Sequence, residues 1–131
     1  MVNKIKISME QVLLYSKLTV KSGEDAGKLV LERNLDRIKE WTDDEISEIF
    51  DADGNLKRTK RMKTRSNLIK TTRFHTITAL RLIIKEKFED SGFKLPTSAE
   101  YKRMARDLVS EENIRNAFEE SSIIYNPYQI Y

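Results

Sequence analysis

The chain has 131 residues, 39% of them hydrophobic, a formal net charge of +3 and no cysteine. That length suits one domain with a real hydrophobic core. The absence of cysteine excludes disulfides, a thiolate nucleophile and zinc-thiolate chemistry. No apolar run approaches the roughly 20 residues needed to cross a bilayer, and the opening residues lack the apolar run of a secretory signal. The expected setting is therefore intracellular: cytoplasm, nucleus or the inside of a virus particle.

Residues 2–7 alternate loosely through Val2, Ile5 and Ile7, which predicts an edge strand or extended arm over 1–8. Ser8-Met9-Glu10-Gln11 is a capping box, with Met9, Val12, Leu13 and Leu18 as the buried stripe of a first helix. Ser22 to Asp25 signals a second start, and Ala26, Leu29, Val30, Leu31, Leu35 and Ile38 give an apolar face from Glu24 to about Lys39. Thr42-Asp43-Asp44-Glu45 is the cleanest box, with Trp41 placed to staple onto Ile46. This short helix should stop at the turn Asp51-Ala52-Asp53-Gly54-Asn55.

Charge then changes sharply. Between Asp53 and Glu86 there is no acidic residue and there are ten basic ones, whereas residues 1–53 carry net −4 and residues 86–131 net −3. Scatter rarely segregates charge in this way. Residues 56–66 have no clear period and fit a basic loop or an exposed helix. From about Ser66, Ile69, Ile77, Leu80, Ile83, Ile84 and Phe88 share one face, favouring helix. The threonines Thr71, Thr72, Thr76 and Thr78 pull towards strand.

After a connector from Gly92 to Pro96, Thr97-Ser98-Ala99-Glu100 is another box. Tyr101, Met104, Ala105, Leu108 and Val109 follow at amphipathic spacing. Ser110 restarts a helix, with Val109 and Ile114 as a staple and Ala117 and Phe118 continuing the stripe. Residues 101–118 resemble a DNA-reading helix-turn-helix in the small Ala105 and the Ser110 cap. Their turn is one residue short, lacks its glycine and sets Glu111 and Glu112 where phosphate would lie, so two core helices at a corner are the expectation. Asn126-Pro127 ends regular structure. The predicted fold is a single all-α domain over 1–131, a compact bundle of about five or six helices with extended arms at 1–8 and 123–131.

For function, the basic stretch leads. Lys57, Arg58, Lys60, Arg61, Lys63, Arg65, Lys70 and Arg73 are interleaved with hydroxyl and amide side chains, a mixture suited to phosphate. The expected activity is non-enzymatic contact with a nucleic-acid backbone. If all eight cations met phosphate, log affinity would fall with log salt at a slope of about −7. Two alternatives stand beside it. One is a structural subunit of a virus particle or ribonucleoprotein, docking through the basic segment and the arms, with Tyr125, Tyr128, Ile130 and Tyr131 contacting a neighbour in a homo- or hetero-oligomer. The other is a regulator that binds an acidic protein surface.

Other motifs fail on their own chemistry. Ser22 to Leu29 is one residue short of a phosphate loop and has Leu29 where magnesium needs a hydroxyl. Asp51 to Asn55 puts its glycine too early for a calcium loop and Met62 at the bidentate position. His75, the sole histidine, has no nucleophile elbow or oxyanion loop beside it. No catalytic residue, metal or cofactor is expected.

Overall fold

The computed structural model describes residues 5–15, 26–57, 63–88, 95–116 and 122–125. Its order is β1 (Ile5–Ser8), α1 (Met9–Tyr15), α2 (Ala26–Lys39), α3 (Asp43–Ile49), α4 (Lys63–Phe88), α5 (Ser98–Leu108), α6 (Glu111–Arg115) and β2 (Ser122–Tyr125). The fold is the all-α bundle expected, with extended segments towards both ends.

Helices α1, α3, α5 and α6 each start where a side chain meets an orphan backbone N–H. At α1 the Ser8 N–H donates to Gln11 Oε1 at 2.8 Å, and the Gln11 N–H donates to Ser8 Oγ at 3.3 Å. Thr42 and Glu45 close the same reciprocal box on α3, and Thr97 and Glu100 close it on α5. Ser110 Oγ accepts from the Asn113 N–H at 3.3 Å on α6. The Ser22–Asp25 start, Leu18, the Gly92 stop, Ala117 and Phe118 lie outside the described residues.

The long helix α4 is the axis of the molecule, with α1, α2 and α5 packed against it. Ile69, Ala79, Leu80, Ile83 and Ile84 of α4 are buried with Val12, Leu31, Leu35, Ile38, Met104, Ala105 and Leu108 in one core. Thr72 and Thr76 are buried in the same face. Their hydroxyls donate to the carbonyls of Leu68 at 2.6 Å and Thr72 at 2.7 Å, one turn back. That local bond satisfies a buried hydroxyl inside a helix, so the threonines that pull towards strand are accommodated within α4.

Two small pieces of pairing complete the fold. Phe50 and Leu56 form an isolated antiparallel bridge around the Asp51–Asn55 turn, where Asp51 Oδ1 accepts the Asp53 and Asn55 N–H groups, each at 2.9 Å. Gly54 sits there at φ 80°, the left-handed region open to glycine. The two arms meet as an antiparallel ribbon, Ile5 opposite Tyr125 and Ser8 opposite Ser122.

α6 is held to α3 by charge. Arg115 reaches Asp43 Oδ1 and Glu111 Oε1, each at 3.1 Å. A five-residue helix clasped in this way is too short to serve as a recognition helix, so the corner reading fits the described part of that stretch, residues 101–116.

Candidate nucleic-acid interface

The cations of the basic stretch divide by residue type. Among the described residues, Lys57, Lys63, Lys70 and Lys85 are exposed and form no ion pair. The three described arginines each contact another part of the fold, Arg81 while staying exposed. Arg65 pairs with Glu45 on α3. Arg73 donates from Nε at 3.0 Å and from Nη2 at 2.8 Å to the Val109 carbonyl, at the C-terminal end of α5. Arg81 is exposed, with its guanidinium 5.1 Å above the Tyr101 ring and Nη2 3.4 Å from Ser98 Oγ. Arg58, Lys60 and Arg61 lie outside the described residues.

Electrostatics follow from these contacts. Burial, with Arg106 nearby, brings the Arg73 pKa down to about 10 against the opposing pull of Asp107. The group stays protonated at neutral pH and supplies a cation to a helix C-terminus, where negative dipole accumulates. The Thr42 N–H and hydroxyl, joined by Arg65, hold the Glu45 carboxyl below its usual range. Burial also lowers the His75 pKa and raises that of Tyr101.

What remains outward is a row along α4. Lys63, Lys70, Phe74, Arg81 and Lys85 follow one another at steps of seven, four, seven and four residues, so they fall within about 60° of one face. The row spans roughly 33 Å, close to one turn of duplex DNA. Phe74, 63% exposed, stands in its middle, and the exposed Asn67 and Thr71 border it. No carboxylate belongs to α4 before Glu86.

Of the residues expected to grip phosphate, Lys57, Lys63 and Lys70 are free to do so, whereas Arg65 and Arg73 already have partners within the chain. Lys85 and Phe74 share the outward face of α4 but were not among the residues expected to grip phosphate. Their signal was available as heptad-like spacing from Lys63 once the helix was extended past Ser66. Tyr125 ends β2 and pairs through its backbone register with Ile5, so the C-terminal arm folds back on its own chain at least that far. Tyr128, Ile130 and Tyr131 lie outside the described residues.

Compared with known families, curated proteins and solved structures, the chain matches none. No helix among the described residues is long and apolar enough to cross a membrane.

Proposed function

We propose that this is a non-catalytic nucleic-acid-binding protein that lays the outer face of α4 along a phosphate backbone. The observation that carries the reading is the acid-free row of exposed lysines on one helical face, none of them paired with a carboxylate among the described residues. Lysine presents a mobile point charge to phosphate and displaces condensed counterions without reading sequence. Structural ion pairing does not require such a row, because exposed pairs contribute little to stability.

Phe74 gives the face a second contact. A single exposed aromatic is ordinary on a protein surface. Between Lys70 and Arg81, however, its ring is placed to take a base or sugar while the cations take phosphate.

The test is the affinity for duplex DNA as a function of salt. With Arg65 and Arg73 engaged within the fold, the other eight cations of the stretch, Lys57, Arg58, Lys60, Arg61, Lys63, Lys70, Arg81 and Lys85, would give a slope of about −7. No retention on duplex or single strand at low salt would remove the proposal.

A further inference from the structure

A second feature opens on the same side of α4. Asn34 and Arg37 on α2, Trp41 just after it, and Thr64, Arg65 and Asn67 on the first turns of α4 line a cavity of about 360 Å³. That volume falls within the range of small-molecule sites. No carboxylate lines it.

Its chemistry is specific. Asn34 is only 8% exposed, and its Nδ2 has no hydrogen-bond partner. That nitrogen is closed off from solvent, and a buried amide without a partner is uncommon in folded proteins; turned out into the cavity, it would meet an acceptor atom brought by a ligand. Arg37 is exposed and in no ion pair among the described residues, and Arg65 shares its charge with Glu45. The unpaired Arg37 fork suits phosphate oxygens, and the positive end of the 26-residue α4 dipole adds to it. Trp41, half-buried, offers an indole face.

We infer that this cavity holds one nucleoside monophosphate unit, its phosphate on Arg37 beside the first turn of α4, its base against Trp41 and a base acceptor on the Asn34 amide. The inference goes beyond a grip on the backbone, since it places a single base in a defined site, and it does not require the lysine row to bind duplex. A free nucleotide and the end of a strand share this chemistry.

Trp41 is the only tryptophan in the chain, so its emission reports the site directly. The full-length protein is titrated with AMP, with adenosine, with inorganic phosphate and with a short single strand carrying or lacking a 5′-phosphate. The expected result is saturable quenching by AMP at least tenfold tighter than by adenosine or phosphate alone. If the strand is the natural source, the phosphorylated end binds tighter than both AMP and the unphosphorylated strand; if free nucleotide is the source, AMP binds tightest.

Arg37→Ala, at an exposed position, should weaken AMP about tenfold. Asn34→Leu should weaken it while melting no lower than wild type, because it removes an unmet polar group. Absence of saturable quenching by AMP, equal quenching by phosphate alone, or unchanged AMP affinity in both variants would overturn the inference. Duplex retention measured on the same samples keeps this outcome separate from that of the lysine row.

Discussion

At the scale of single residues, Arg73 and His75 carry the clearest consequences for stability. Arg73 fastens α4 to the end of α5 through two hydrogen bonds to one carbonyl. Arg73→Ala should therefore lower stability by about 2 kcal/mol, seen as a fall of several degrees in Tm, with the salt slope for DNA unchanged. His75 behaves differently. Burial depresses its pKa below the ordinary 6.5, and Nδ1 is buried without a partner. The unfolded chain thus takes up a proton that the folded chain resists, so stability is full above pH 6.5 and falls as pH drops through and below that value. Thermal melts between pH 7.5 and 5.5 should show a steeper loss for wild type than for His75→Gln. The lowered pKa of Glu45 acts only further down, in the carboxylate range, and leaves that window to the histidine.

At the scale of elements, what the sequence made legible was local. The boxes at Ser8, Thr42 and Thr97 span three residues each, so both partners sit in one short window. Thr97→Ala should cost about 1 kcal/mol, measurable by denaturant titration, because α5 supplies Tyr101, Met104, Ala105 and Leu108 to the core. The apolar stripe of α5 was legible for the same reason. The start of α4 was not: Lys63 to Arg65 carry no apolar period, and that turn is set by contacts distant in sequence, Arg65 to Glu45 and Ser66 Oγ to the Lys57 carbonyl at 3.3 Å. The pairing of Arg73 with Val109 spans 36 residues and has no signature in either segment. Likewise the cavity beside Asn34 exists only because α2 and α4 pack together.

Across the whole molecule, the division of labour follows from the physics of the two cations. Arginine, with its planar fork, suits fixed hydrogen bonds at the seams between helices, and Arg65 and Arg73 lie there. Lysine, strongly hydrated and flexible, stays at the surface. The sequence showed a block of charge, but only the helix phase showed which charges face outward. Phe74→Ala should leave stability within about 0.5 kcal/mol, as an exposed substitution. It should weaken single-strand binding by roughly 1–3 kcal/mol if a base stacks there.

The most direct measurement is the salt-dependent affinity of Lys63→Glu/Lys70→Glu/Lys85→Glu for duplex DNA beside that of wild type, with both melting curves. Loss of three phosphate contacts should flatten the slope by about 3 and weaken binding alike on unrelated sequences, at nearly unchanged Tm. Wild-type affinity and slope in that variant would contradict the assignment of α4 as the binding face.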